Sequence, residues 1–260
     1  MGSADPFLSM LKEQGLCVVR VPRANVGPLT LLSKQGASLV QSGRIEELVV
    51  GPPLPRIDPD RPAAHIEGNK TRALAFELGV TLLAGWIEAL GGKSAGLEAA
   101  LKGARSIRFR FPSVLVDTVS SAAVDDYLGS ATVKTTARQL AKDLDDGNLY
   151  LVTLGAKANR FEVETGATRS GGVGVGIPEI QKVVGASVKV SGGGGSGLVI
   201  AYQGDEPVYF GFQAIRLYYT NGRYQGYKPL AAGKAAMLGE RNRTRAWLSS
   251  GAPLMALAPK

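Results

Sequence analysis

Short apolar segments with alternating side chains, bounded by glycine or proline, recur along this chain and constrain its fold more than any other feature. In the segment SIRFRFPSVLV at 106–116, arginines alternate with Ile107, Phe109 and Phe111. A period of two sends arginines and phenylalanines to opposite faces, which is typical of a half-buried strand. Strands are also predicted at 17–21, 44–50, 149–154, 160–164, 187–190, 198–202 and 207–217. The sequence therefore predicts a protein rich in β-structure.

Helix signals are fewer and are interleaved irregularly with the strands. The strongest covers Lys70 to Leu90, where Leu74, Leu78 and Trp86 recur near a helical spacing before Gly91. Shorter helices are predicted at 29–35, 95–102, 119–128 and 135–143, and the proline-rich stretch 51–63 is predicted to be an exposed loop. Because there is no βαβ rhythm and no internal repeat, the prediction is an α+β fold with a largely antiparallel sheet.

Composition and charge narrow the class of protein. A hydrophobic content of 45% with 20% charged residues excludes a disordered chain. One cysteine and one histidine exclude a disulfide scaffold and a multi-histidine metal site. The formal net charge of +8 admits nucleic acid or an anionic membrane as partner. Six of the 30 basic residues but only one of the 22 acidic residues lie in residues 228–260, so the excess charge sits at the C-terminal end.

Motifs with catalytic or cofactor chemistry find little support. The run Gly91-Gly92-Lys93-Ser94 follows a predicted helix and has Ile87 where a phosphate-binding loop requires glycine. The glycines at 172, 174 and 176 do not have the spacing of a dinucleotide-binding loop, and His65 lies beside no nucleophile motif. We therefore expect no enzyme and no bound cofactor or metal. An enzyme using the Asp145-Asp146 turn and a nucleic-acid-binding protein with a C-terminal arm remain alternatives.

Several longer segments carry a resemblance by their order along the chain. They are CVVRVPRANVGPLTLLSK, IRFRFPSVLVDTVSSAAVDDYL, DDGNLYLVTLGAKANRFEVE, IPEIQKVVGASVKV and VYFGFQAIRLYY, and together they span about residues 10–228. This ordered set resembles one known family, the bacterial gasdermins. The resemblance implies a twisted, mainly antiparallel central β-sheet ringed by helices, as in a gasdermin N-terminal domain. It also implies an autoinhibited pore-forming protein that causes cell death in anti-phage defence.

The resemblance further implies a division of the chain into a pore-forming domain, residues 1–240, and a C-terminal autoinhibitory peptide, residues 241–260. A protease, caspase-like or trypsin-like, would remove the peptide after the basic run at Arg241, Arg243 or Arg245. Since no aspartate follows Asp205, an aspartate-specific protease has no site in this tail. The predicted autoinhibitory contacts are the apolar tail residues Trp247, Leu248, Leu254, Met255 and Leu257, each worth about 1.5–3 kcal/mol when fully buried.

Partners and location follow from the same resemblance. The inactive chain is expected to be a cytoplasmic monomer that binds no nucleic acid, and the cleaved chain a homo-oligomer in the bacterial inner membrane that contacts lipid. Family members carry an acylated cysteine near the N-terminus, whereas residues 2–6 hold none and Cys17 is the one thiol. Either the acyl site lies outside this sequence or Cys17 carries a covalent palmitate. Candidate membrane hairpins are 106–116 with 132–154, and 171–202.

Overall fold

The computed structural model describes residues 15–36, 38–63, 74–89, 94–97, 101, 106–165, 188–192, 198–230, 246–249 and 254–257. The strands in this part of the chain are β1 (Cys17–Arg23), β2 (Thr30–Gln35), β3 (Ser38–Arg44), β4 (Val49–Val50), β5 (Ile57–Pro62), β6 (Leu74–Ala75), β7 (Ser106–Arg110), β8 (Leu115–Val119), β9 (Thr132–Val133), β10 (Leu149–Thr165), β11 (Val188–Gly192), β12 (Leu198–Thr220), β13 (Arg223–Pro229), β14 (Ala246–Ser249) and β15 (Leu254–Leu257). The helices there are α1 (Ile45–Leu48), α2 (Phe76–Ala89), α3 (Ser121–Ser130) and α4 (Arg138–Asp145).

Two long central strands, β10 and β12, organise the sheet. They pair antiparallel from Tyr150 opposite Arg216, at what we call the lower end, to Glu164 opposite Val199 at the upper end. Along this length the strands that flank them change twice, which gives a lower, a middle and an upper level. At the lower level the order is β13-β12-β10-β2-β3. In the middle it is β14-β1-β12-β10-β8-β5, and in the upper level it is β11-β12-β10-β7-β6.

All of these pairings are antiparallel, as is the small separate pair of β4 and β9. The helices lie around the sheet: α2 contacts β1 and β7, α3 contacts β13, and α4 contacts β12, β10 and β2. The predicted α+β fold with a mainly antiparallel sheet is therefore confirmed.

Alternation along β10 separates two cores on opposite faces of the lower sheet. Leu149 and Leu151 join the core beneath α1, α3 and α4, whereas Tyr150 and Val152 join the core on the other face. The helices present apolar residues at helical spacing to the first core, as Leu140 and Leu144 of α4 do. Both faces of the central strands are thus covered at this level.

Three local predictions were wrong, each for a physical reason. Residues 29–35 are not helical but form β2, whose Leu31 and Leu32 are both fully buried because each face of this strand meets a core. Residues 44–50 are not one strand: Arg44 ends β3, the single turn of helix α1 follows, and the chain is extended again only in β4. The proline-rich stretch contains β5, an outer strand that tolerates proline because one side of its backbone needs no donor.

Candidate functional site

The C-terminal segment continues the central sheet beyond β1. Strand β14 pairs antiparallel with β1, placing Leu248 opposite Val19 and Ser249 opposite Val18. Strand β15 pairs with β14 in turn and also lies beside β3. Strand β1 is therefore bonded on one side to β12 and on the other to the tail, so loss of the tail would leave β1 with an unpaired edge.

The predicted tail residues divide between these strands and the part of the chain outside the described residues. Trp247 and Leu248 are in β14, and Leu254, Met255 and Leu257 are in β15. The arginines of the predicted cleavage region, Arg241, Arg243 and Arg245, lie outside the described residues. Backbone pairing thus places Trp247 and Leu248 on the strand at the edge of β1, and the other three predicted contact residues on the next strand outward.

Cys17 lies at the start of β1, directly opposite Phe212 of β12. It is 2% exposed and packs in the core that contains Val19, Leu32 and Phe212. Burial raises the pKa of the thiol to about 12, so the reactive thiolate is scarce at neutral pH. Acylation of Cys17 would therefore require that β1 open or that the modification precede folding.

A polar cluster, absent from the sequence-based prediction and buried except for Asp60, joins four neighbouring strands of the middle level. We call Asp60 of β5, Asp117 of β8, Lys157 of β10 and Tyr209 of β12 the four-strand cluster. The Lys157 ammonium lies 2.8 Å from both Asp117 Oδ2 and Asp60 Oδ1, and the Tyr209 hydroxyl donates to Asp117 Oδ2. The Asp60 backbone N–H donates to Asp117 Oδ1 at 2.8 Å. Each carboxylate oxygen of Asp117 is thereby satisfied inside the protein.

The pKa shifts of this cluster follow from burial and pairing. Desolvation raises the pKa of Asp117, but hydrogen bonds from Lys157, Tyr209 and the Asp60 N–H outweigh it, so the net pKa lies below its ordinary value. Desolvation lowers the pKa of Lys157, but its hydrogen bonds to Asp117 and Asp60 outweigh it and the net pKa is raised. Burial, then the bond to Asp117, raises the pKa of Tyr209. At neutral pH Asp117 and Lys157 are therefore both charged and Tyr209 is neutral.

A signal for this cluster was present in the sequence. Lys157 interrupts the apolar run of residues 149–158, and Asp117 interrupts the run at 114–119. Single charges of opposite sign in two buried strands indicate an ion pair wherever those strands are neighbours. The sequence alone did not place β8 beside β10, so the pair was missed.

A cavity of about 330 Å³ opens in front of this cluster. Asp117 and Tyr209 line it together with Asn25, Arg44 and Glu47. The Arg44 N–H donates to Glu47 at 3.3 Å, and the Arg44 guanidinium pairs with Glu46 at 2.8 Å. Arg44 of this wall is thus engaged with both Glu46 and Glu47.

An aromatic cluster holds α2 against the upper part of the central strands. Trp86 of α2 has its ring centroid 5.1 Å from that of Phe111, 5.2 Å from Phe161 of β10 and 5.5 Å from Phe210 of β12. These rings are at most 1% exposed. Phe109 and Phe111 are buried while Arg110 is exposed, so the predicted alternation is confirmed, and these phenylalanines offer no stacking surface to nucleic-acid bases. The segment 106–116 is not one strand, however, because β7 ends at Arg110 and β8 begins at Leu115.

The described residues hold neither a metal-binding cluster nor a membrane-spanning helix. Among them, no three His, Cys, Asp or Glu side chains come together in a way that could hold a metal ion. Within the same part of the chain, no helix has the length and apolar character needed to cross a bilayer. Asp145 is the last residue of α4 and Asp146 is its C-cap, and the glycine that follows, Gly147, adopts φ +64° as a turn requires.

Comparison with known proteins identifies the family to which this chain belongs. The model of the Bacterial Gasdermin Family matches residues 19–223. A gasdermin of a Desulfuromonadales bacterium is 38% identical over 240 residues, covering 91% of this chain and 90% of the relative. The chain belongs to the bacterial gasdermin family. The matched region runs from β1 to the start of β13 and so includes both central strands.

Further relatives and a solved structure agree with this membership. A gasdermin of Lysobacter enzymogenes is 36% identical over 236 residues, covering 89% of this chain and 87% of that protein. A gasdermin structure from Bradyrhizobium tropiciagri superposes with a TM-score of 0.58 at 13% identity, covering 88% of this chain and 91% of the other. That structural likeness establishes the shared fold. Gasdermins are pore-forming cell-death effectors and are not known as enzymes.

Proposed function

We propose that this protein is an autoinhibited membrane pore former, activated when a protease removes its C-terminal peptide. Family membership supports the pore-forming part. The single structural observation that supports autoinhibition is the pairing of β14 with β1, since a tail built into the sheet edge holds the body in its inactive arrangement. Detaching the tail would free the backbone N–H and C=O groups of β1 for pairing with another chain.

The activating protease is proposed to cut in the basic run at Arg241, Arg243 or Arg245, which favours a trypsin-like or caspase-like enzyme that accepts arginine. The tail stays bound before the cut because its tether keeps its effective concentration high, and the cut removes that advantage. The division proposed is a pore-forming domain at 1–240 and an autoinhibitory peptide at 241–260, both in a cytoplasmic monomer.

After the cut, the body is proposed to oligomerise at the bacterial inner membrane and to form a β-barrel pore, causing cell death in anti-phage defence. The central strands have 17 and 23 residues, and a spanning strand needs about 9–11. A closed barrel would satisfy every backbone group in lipid. The candidate hairpins remain 106–116 with 132–154, and 171–202; residues 171–187 and 193–197 of the second lie outside the described part of the chain. A covalent palmitate on Cys17, if present, would add membrane affinity.

Expression of residues 1–240 against 1–260 in bacterial cells tests this function. We expect the shorter chain to admit a membrane-impermeant dye and to stop growth, and the full chain to do neither. A chain in which residues 241–245 carry lysine in place of each arginine is the matched control, since it retains both the tail and the charge. Equal viability of all three strains, at equal protein levels, would refute the proposal.

A further inference from the structure

The four-strand cluster stands out because buried charge is rare in this protein. Among the described residues, Asp117 at 5% exposure and Lys157 at 9% are the ionisable members of the buried polar set, which otherwise holds Thr30, Ser33 and Thr153. Burying such a pair contributes little net stability, since desolvation offsets much of the attraction. A well-packed apolar pair in its place would often be as stable or more so. Stability alone therefore does not account for the pair.

The position of the cluster suggests its role. It lies where the central strands exchange neighbours: above it β10 leaves β8 for β7, and β12 leaves β1 for β11. Between Ala156 and Lys157 the register with β12 shifts, because Phe210 is an extra residue opposite no partner. Further irregularities occur between Ala158 and Arg160 and, in the pairing of β5 with β8, between Asp58 and Arg61. The ladder of backbone bonds is thus interrupted at the level of the cluster.

At this level, contacts between side chains link the strands where the backbone pairing is interrupted. Lys157 and Tyr209 are directly opposite each other, and Asp117 faces Gly155 two residues along the same strand. Tyr209 fits between two glycines: a Cβ on Gly27 would lie 2.6 Å from its hydroxyl oxygen, and one on Gly155 would lie 2.6 Å from its ring carbons. Asp60 holds the outer strand with φ +57° and bonds through both its N–H and its carboxylate.

We propose that the four-strand cluster is a releasable lock, which holds β5 and β8 on the central strands in the inactive chain and parts when the body converts to its pore form. The inference rests on the proposed function, because it presumes that conversion. The chemistry suits release: separated Asp and Lys ions regain their hydration, whereas an apolar pair in their place would lose burial on opening. An ion pair can therefore hold the strands together in the inactive fold and still separate at a lower free-energy cost than an apolar pair.

Uncut protein tests the lock without any membrane. In Asp117→Asn, amide hydrogen exchange should rise in residues 115–119 and 154–157 but not in β3, and the melting temperature should fall by roughly 10 °C. Tyr209→Phe removes one hydrogen bond and should give a smaller change of the same pattern. The control is Arg160→Met, which removes the ion pair of 3.1 Å between Arg160, 48% exposed, and Glu162 on the same strand and leaves the pair of Glu162 with Arg110 in place. Unchanged exchange in Asp117→Asn and in Tyr209→Phe would overturn the proposal.

Vesicle leakage after a cut tests release. A specific protease site replaces residues 241–245, and dye-filled vesicles of anionic phospholipid report the leakage rate. The apolar double variant Asp117→Leu with Lys157→Met should melt near or above the parent temperature and leak roughly tenfold more slowly, whereas Asp117→Asn and Tyr209→Phe should leak faster than the parent. A double variant that is stable and leaks at the parent rate would overturn the lock. If the cut parent itself does not leak, the proposed function fails, and the exchange experiment still decides whether the cluster locks the sheet.

Discussion

The burial of Cys17 decides how this one thiol behaves. Opposite Phe212 and in an apolar core, with its pKa raised to about 12, the thiol should resist a maleimide or disulfide reagent at neutral pH. We expect labelling at least about a hundredfold slower in the native chain than in denaturant, because both access and thiolate are scarce. Labelling followed by mass spectrometry measures this. Rapid native labelling would show that β1 is open at Cys17 and would favour acylation of the folded chain.

The pairing of Asp117 makes part of the stability depend on pH. Because the pKa of Asp117 in the folded chain lies below its ordinary value of 3.8, its contribution is present above that value and is lost as the pH falls through the folded pKa. Denaturant unfolding from pH 6 to pH 2 should therefore show a smaller loss of stability in Asp117→Asn than in the parent. Comparing the two curves cancels the other carboxylates. Parallel curves would contradict the assigned ion pair.

Two glycine substitutions should have opposite effects. Gly155→Ala places a methyl group against the held ring of Tyr209 and should lower the free energy of unfolding by about 1–3 kcal/mol. Gly129→Ala in α3 meets nothing within 4 Å and should raise it by about 0.5–1 kcal/mol, since alanine favours a helix. Urea unfolding of both variants measures whether the free energy of unfolding changes in these opposite directions. A neutral Gly155→Ala would mean that Tyr209 is not confined as described.

At the scale of the secondary-structure elements, helix α2 depends on Trp86. Its indole contacts Phe111, Phe161 and Phe210 and is 1% exposed, so Trp86→Ala should lower the free energy of unfolding by about 3–5 kcal/mol. Leu54→Ala, at a side chain 43% exposed, is the control and should change it by less than about 0.5 kcal/mol. Equal effects in chemical unfolding would contradict the aromatic cluster as the anchor of α2.

Periodicity in the sequence predicted some elements well. The alternation at 160–164 and the helical spacing around Trp86 each predicted an element of the right type, because one face of each is buried and the pattern records it. Helices α3 and α4 also form where they were predicted, with shifted ends. Hydrophobic periodicity predicts an element correctly where only one face of that element meets the core.

Periodicity did not predict the elements that are covered on both faces or that lie at an edge of the sheet. The apolar run of β2 has no alternation, since cores lie on both of its faces, and it imitates a helix. The prolines of β5 are typical of a loop, and the sequence does not show that this segment pairs with β8. β10 and β12 were predicted as separate pieces because irregular register and glycines interrupt their pattern. The ion pair of Asp117 and Lys157 could not be predicted without knowing that their strands are neighbours.

At the scale of the whole molecule, the tail explains the position of the excess positive charge. The basic residues of 228–260 flank a segment whose strands β14 and β15 complete the sheet next to β1. On the proposed function, a cut in the run at 241–245 leaves Lys228 and Lys234 on the body. These charges would favour attraction to an anionic bilayer, and this attraction should weaken as salt is raised.

Leakage of dye from vesicles by the purified chain, before and after a single cut at 241–245, tests the central claim most directly. The uncut chain should cause no release, and the chain cut by a specific protease at a site placed there should release the dye, with the protease alone and the cut tail alone as controls. Release that begins only after the cut is the predicted result. A fully cut chain that leaves vesicles intact, or an uncut chain that empties them at the same rate, would contradict the account.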